Sequence, residues 1–170
     1  MKKIILALGL LMMGAVAFAQ KYAIIDTKYI LDKMPEYRDA DKKLQQISEQ
    51  WQKEIDSKQA QLDKMYKNYE AEQFMLSEEL KKKREDELFN KEKELRDLQK
   101  KRFGYEGDLF KERQKLVKPI QDRVYTAVQK IAVARGYDFI LDKSEGITVI
   151  FADPKLDKSE DILRELGIKQ

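Results

Sequence analysis

Four aspartates, Asp26, Asp138, Asp142 and Asp153, flank the short apolar runs of this 170-residue chain. Paired carboxylates are a common source of general acid–base catalysis. These have no helpers: the chain has no histidine and no cysteine. That removes the commonest general base, the commonest metal ligand and all thiol chemistry, and with them Ser-His-Asp triads and Cys/His zinc sites. At the ends of apolar runs, aspartates read instead as turn and cap residues. Lys81-Lys82-Lys83-Arg84 and Lys100-Lys101-Arg102 are basic clusters that could meet acidic membrane headgroups. Glu85-Asp86-Glu87 and Asp97 stand beside them, so a solvated, charge-balanced face is the stronger reading. Gly104-Tyr105-Glu106-Gly107 matches a GxxG nucleotide clamp on paper, but it falls within a helical arm. Neither catalysis, cofactor, metal nor nucleic acid is expected.

What remains is apolar surface. Phe89, Phe103, Phe110, Val117, Val124 and Ile131 share one heptad position, interrupted by Arg96. Tyr66, Phe74 and Met75 lie near a helical tip and off its packing seam. Such residues suit many weak contacts with apolar partners, because promiscuous binders need adaptable surfaces. They equally suit a widened packing face. For Val117, Val124 and Ile131 packing is favoured; for Phe89, Phe103 and Phe110 the two readings stand level. Gly104 and Gly107 weaken the same stretch, each by roughly 0.5–1 kcal/mol relative to alanine in a helix. They are candidates for a hinge, or for close packing against a bulky neighbour.

The elements that carry these residues follow from punctuation. Pro35 is followed by 68 residues, Glu36 to Phe103, with neither proline nor glycine and rich in Lys, Glu, Gln, Leu and Asp. This predicts long helix. Glu78/Lys82, Glu79/Lys83, Glu87/Lys91, Glu92/Arg96 and Asp97/Lys101 are i,i+4 pairs with the acid first, as exposed helix favours. Seven-residue series form coiled-coil seams: Leu44, Trp51 and Met65; Ile55, Leu62, Tyr69 and Leu76; Leu88, Leu95, Leu109 and Leu116; Leu98 and Tyr105. Lys58, Glu72, Lys91, Arg102 and Glu112 break them. Ser77, midway between Pro35 and Pro119, suits an N-cap, with Glu78 and Glu79 in the first turn. The chain is therefore expected to fold back near 76–77, with arms of about 40 residues, roughly 60 Å each.

The remainder reads as a small β/α body. Lys21–Asp26, Tyr137–Asp142 and Ile147–Phe151 are predicted strands, and Thr27–Lys33 is a short helix. Pro119 suits the first turn of a new helix or a kink in an old one, in a helix ending at Gly136. Asp157 and Glu160 resemble a capping box opening a last helix that stops at Gly167. So small a body has a marginal core and exposed strand edges, which oligomerisation would cover. Ile24, Ile25, Phe139, Leu141, Val149 and Phe151 are its candidate apolar residues.

The first residues look like an export signal: basic Lys2 and Lys3, apolar Ile4 to Val16, and a small-x-small site at Ala17-Phe18-Ala19 ahead of Gln20. Cleavage there removes two of 34 basic residues and no acid, leaving 32 against 31 and a net charge of +1. A nearly neutral chain argues for neither nucleic acid nor anionic lipid by charge.

In this order, KYAIIDTKYILDKMPEY, the charged hairpin turning at MLSEEL, and YDFILDKSEGITVIFADPKLDKSEDIL resemble the Skp (OmpH-like) periplasmic chaperones over essentially the whole mature chain. The resemblance implies an α+β, mostly α fold. A long antiparallel helical hairpin (tentacle), 36–118, is inserted in a β/α trimerisation body, 20–35 and 119–170, after a signal peptide, 1–19. It further implies a jellyfish-like homotrimer. Its arms enclose a cavity that holds unfolded outer-membrane β-barrel proteins in the periplasm, without ATP. Tyr66, Phe74, Met75, Phe89, Phe103 and Phe110 are then client-binding candidates. The near-neutral charge departs from strongly basic relatives, which weakens the membrane or lipopolysaccharide contact that the resemblance would carry over, so capture here would lean on the aromatic lining and arm flexibility. The competing reading is a structural or adaptor coiled coil of the cell envelope.

Overall fold

A proline opens the first long helix, and glycines stand at the ends of the next two. In this computed structural model, which describes residues 20–144, 146 and 149–168, Pro35 occupies the first turn of a 38-residue helix. Its fixed φ suits that position and its missing amide hydrogen costs nothing there. The elements run β1 (Tyr22–Ile25), α1 (Thr27–Lys33), α2 (Pro35–Glu72), a 3-10 turn (Gln73–Met75), α3 (Glu78–Phe103), α4 (Asp108–Arg135), β2 (Phe139–Asp142), a second 3-10 turn (Pro154–Leu156) and α5 (Ser159–Glu165). The chain forms two compact units, Met34–Arg123 and, among the described residues, 20–33 with 124–168.

The first unit is a helical hairpin. Leu76 leaves the helical conformation, and Ser77 Oγ accepts from the Leu80 amide, so the reversal falls where the cap was expected. Ile55 and Leu62 of α2 pack with Leu88 and Leu95 of α3, flanked by Met65, Tyr69 and Leu98. Each is buried, and each stabilises the arm by about 1.5–3 kcal/mol relative to exposure. The charged pairs differ from expectation. Glu92–Arg96 closes at 3.8 Å, but Glu78, Glu87 and Glu94 pair three residues away, with Lys81, Arg84 and Lys91. Both spacings are neighbours on a helix surface.

The second arm is not one helix. α3 ends at Phe103 and α4 begins at Asp108, separated by Gly104–Gly107. The heptad series therefore fails at Tyr105, which is 97% exposed instead of seated in the seam. Pro119, offered as a helix start or kink, lies inside α4, whose first residue is eleven positions earlier.

The second unit is built on a parallel pair. Tyr22, Ala23, Ile24 and Ile25 stand opposite Phe139, Ile140, Leu141 and Asp142. Parallel strands need a long crossover, and here the entire hairpin supplies it. On the other side of β1 a single bridge joins Ile24 to Asp157, with the Lys158 amide donating to the Ile24 carbonyl at 2.8 Å. Ala23, Ile24, Ile25, Ile30, Val124, Ala127, Ile131, Ile162 and Leu163 are buried, and α1 packs on α5. α4 ends as predicted. Gly136 takes φ +62°, its amide donates to Val133, and the Tyr137 amide donates to Ala132 at 2.9 Å. That is a left-handed helix stop, which glycine adopts without strain.

The expected third strand does not form over Val149–Phe151, and Ile147 and Thr148 lie outside the described residues. Ile150 and Phe151 are exposed. Within the described chain no strand stands beside them, and β-propensity alone does not supply a pairing partner. The expected export signal, 1–19, also lies outside the described residues.

Candidate functional site

The break in the second arm lies beside an open, partly apolar groove of the hairpin. The Gly104 amide closes the last turn of α3 on the Lys100 carbonyl at 2.8 Å. The Gly107 amide reaches the Gly104 carbonyl at 2.9 Å, and α4 opens with the Lys111 amide on the Gly107 carbonyl at 3.1 Å. Between them Glu106 adopts φ 54°, a left-handed conformation that non-glycine residues rarely take. Tyr105 is turned outward. A groove of about 510 Å³ remains, walled by Asp41, Leu44, Gln45 and Ser48 of α2 and by Phe103, Leu109, Phe110 and Arg113. Its floor is apolar and its rim carries one acid and one base, so it offers burial without selecting for net charge.

Beside the groove lies a cluster that joins three helices. Arg102 donates from Nη1 to Asp108 at 2.8 Å, and its Nη2 stands 3.5 Å from Glu54. Its guanidinium carbon sits 4.6 Å from the centre of the Trp51 ring, and Phe103 meets Trp51 edge-on at 6.3 Å. The sequence marked Arg102 merely as a seam defect. Trp51 and Glu54 are brought to it by the pairing of the arms and Asp108 by the turn at 104–107, although a lone arginine interrupting an apolar stripe was a usable signal.

The predicted apolar residues fall into two groups. Phe74 and Met75, in the 3-10 turn at the tip, are 88% and 80% exposed, and Phe89 is 60% exposed. Tyr66 and Phe110 are exposed, and Phe103 is just exposed beyond its contact with Trp51. Farther along the same heptad position, Val117, Val124 and Ile131 are buried. Gly104 and Gly107 are packed against backbone: a Cβ at Gly104 would come 2.3 Å from the Lys100 carbonyl oxygen, and one at Gly107 2.9 Å from those of Gly104 and Lys101. The bulky neighbour is thus the chain's own main chain.

In the other unit, Ile24 and Ile25 are buried within the protomer, while Leu141 and Val149 are half-buried. Phe139 and Phe151 are exposed, together with Tyr22, Tyr125, Val133 and Ile150, which the sequence did not single out. The aspartates cap. Asp26 accepts from the Tyr29 amide at 2.8 Å, Asp138 from the Lys21 amide at 2.7 Å and Asp153 from the Lys155 amide at 2.9 Å. Asp142 accepts from the Thr27 and Ser144 amides and from the Thr27 hydroxyl. Burial opposes its ionisation, but those hydrogen bonds together prevail and hold its carboxyl below the usual value. Asp157 follows the same balance, with Lys143 and Ser159 as partners. The expected capping box does not form: α5 is capped at Lys158 without a side-chain bond, Asp157 accepts from the Ser159 amide two residues on at 2.9 Å, and Glu160 takes the Tyr29 hydroxyl at 2.6 Å. That contact raises the Tyr29 pKa, chiefly through the hydrogen bond. Among the described residues no group of acids is placed to hold a metal ion, and no helix is long and apolar enough to cross a membrane.

A discontinuous second arm on a hairpin inserted between parallel strands is a specific topology, and the sequence matches the family described as Outer membrane protein (OmpH-like) over residues 21–166. The chain belongs to the OmpH-like family. Among solved structures it is similar to that of a proposed outer membrane chaperone (OmpH-like) from Caulobacter crescentus CB15. The two share 17% identity with a TM-score of 0.68, over 87% of this chain and 84% of that one. At that identity the likeness establishes the OmpH-like fold. No curated protein matches the sequence.

Proposed function

We propose that this OmpH-like protein is an exported, ATP-independent holdase chaperone of the periplasm. It binds unfolded outer-membrane β-barrel proteins and keeps them from aggregating, without catalysing a reaction. In this reading it works as a homotrimer whose arms bound a common cavity, joined through the body of residues 20–35 and 119–170. Exposed Phe139, Phe151 and Ile150 are the body's available apolar surface, while Ile24 and Ile25 serve the protomer's own core.

One observation carries the proposal. The seam of the hairpin is already filled by Ile55, Leu62, Leu88 and Leu95, yet Phe74, Met75, Phe89 and Phe110 remain exposed on the same unit. Large apolar side chains that the arm's own packing leaves free are contact surface for something else. Spread along a helix, they offer many weak and sequence-tolerant contacts, as a holdase for varied clients requires. The groove at the Gly104–Gly107 break adds a concave place for an apolar segment.

The test is suppression of aggregation of a urea-unfolded β-barrel membrane protein on dilution, at one trimer per client and without nucleotide. Light scattering should stay near baseline, and the mass in solution should be that of three chains. Unchecked aggregation, with a folded envelope protein recovered instead by pull-down, would favour the adaptor reading. A monomer would overturn the cavity mechanism.

A further inference from the structure

Arg102 touches all three helices of the hairpin at the point where the second arm is interrupted. It lies in the last turn of α3, pairs with Asp108 at the start of α4, and reaches Glu54 and Trp51 on α2. Its Nε is buried and has no hydrogen-bond partner. An unsatisfied buried donor weakens the closed arrangement, so the contacts that hold it stand close to balance. The neighbouring backbone favours release as well, since Glu106 holds a left-handed φ between the two helices.

The geometry points to Arg102 as an ionic clasp. Closed, it ties the start of α4 to α2 and α3 and narrows the groove formed by Leu44, Phe103, Leu109 and Phe110. Open, it frees α4 to move at Gly104–Gly107 and widens that groove. Both ion pairs are partly exposed and are screened by salt, whereas stacking on the indole is screened less. Rising ionic strength therefore loosens the clasp and leaves Arg102 resting on Trp51. The clasp stands on these contacts alone. Its consequence for client capture rests on the holdase reading.

Trp51 is the chain's single tryptophan, so its fluorescence reports the clasp directly. The experiment compares the full-length wild type with Arg102→Gln and Asp108→Asn, with no client present. In Arg102→Gln the Trp51 emission should move to the red, and in both variants amide exchange across 104–110 should quicken by about tenfold. Protection near Ile55, Leu62, Leu88 and Leu95 should hold. Salt at about 1 M should quicken exchange in the wild type towards that of Asp108→Asn while its Trp51 emission holds, and should leave Arg102→Gln unmoved. Unchanged emission and exchange in both variants would overturn the clasp. So would loss of protection at Leu62 and Leu88, because Arg102 would then support the whole hairpin and not the break. The same variants then enter the aggregation assay. An open clasp with altered capture supports the link, and an open clasp with unaltered capture overturns that consequence while the holdase reading stands.

Discussion

Phe139 lies face to face with Tyr22 across the parallel pair, ring centroids 5.6 Å apart and planes 6° from parallel, with both rings exposed. The two residues are directly opposed in the register of β1 and β2. A two-stranded sheet is marginal alone, and a cross-strand aromatic pair is what such a sheet can add at its surface. The stack should contribute about 0.5–1.5 kcal/mol beyond area burial. Tyr22→Ala and Phe139→Ala should therefore show that coupling in a double-mutant cycle of urea unfolding. Losses that add to within about 0.3 kcal/mol would mean that the rings merely lie near one another.

Four side chains, Ile55, Leu62, Leu88 and Leu95, form the buried cluster between the hairpin's arms. Leu62→Ala and Leu88→Ala should each cost about 2–5 kcal/mol, because each leaves a void in a seam only two helices deep. Far-UV circular dichroism during thermal unfolding should show the helical transition move down, while the emission of Trp51 reports whether the neighbouring stretch opens with it.

These four residues were legible in advance because a seven-residue period is a local property of each arm. The reversal at Ser77 was legible for the same reason, since a cap and its first-turn acids lie within three positions. Tyr105 falls outside the seam because the period does not carry across Gly104, which ends the helix. Arg102 reads as a defect because Trp51 and Glu54 meet it only after the arms pair, and Asp108 only once the turn at 104–107 forms. Val149–Phe151 has the composition of a strand, but a strand needs a neighbour, and no pattern within one chain shows whether the neighbour exists. The burial of Ile24 and Ile25 and exposure of Phe139 and Phe151 likewise depend on tertiary packing, to which alternation within a short strand is a weak guide.

Asp142 and Asp157 make the second unit acid-sensitive. Their folded pKa values lie below the unfolded aspartate value of about 3.9. A depressed carboxyl contributes stability that is fully present above the unfolded pKa and is lost as pH falls through the folded one. Urea midpoints should thus be level from neutral pH down to about 5 and decline below about 4. Asp142→Asn should lower the midpoint at neutral pH and flatten the acid limb, since the amide still accepts from Thr27 but no longer titrates. A limb of unchanged steepness would show that other carboxylates govern it.

The tip residues separate surface function from packing. Phe74→Ser with Met75→Ser should leave thermal stability within about 0.5 kcal/mol, as exposed positions allow. Client capture in the aggregation assay should fall nonetheless, and adding Phe89→Ser and Phe110→Ser should lower it further. Intact capture in the fourfold variant would remove the aromatic lining from the mechanism.

Alanine at Gly104 distinguishes a slack helix from a built turn. Were the break simply a weak stretch of exposed helix, replacing glycine would stabilise it by about 0.5–1 kcal/mol. The observed backbone demands the opposite sign. The Gly104 amide already holds the Lys100 carbonyl at 2.8 Å, and an added Cβ would sit 2.3 Å from that oxygen. Relieving the clash means lengthening that hydrogen bond or shifting Lys100, a strain on the order of 1–3 kcal/mol. Gly107→Ala meets two carbonyl oxygens at 2.9 Å and should follow the same direction more mildly. Both variants should melt lower than wild type, with the amide of residue 104 losing protection first. If the break also serves as the hinge that lets an arm admit clients of different size, the double variant should hold a narrower range of client lengths at equal stoichiometry. A higher melting temperature with an unaltered range would show that α3 and α4 can join into one helix and that the interruption serves neither role.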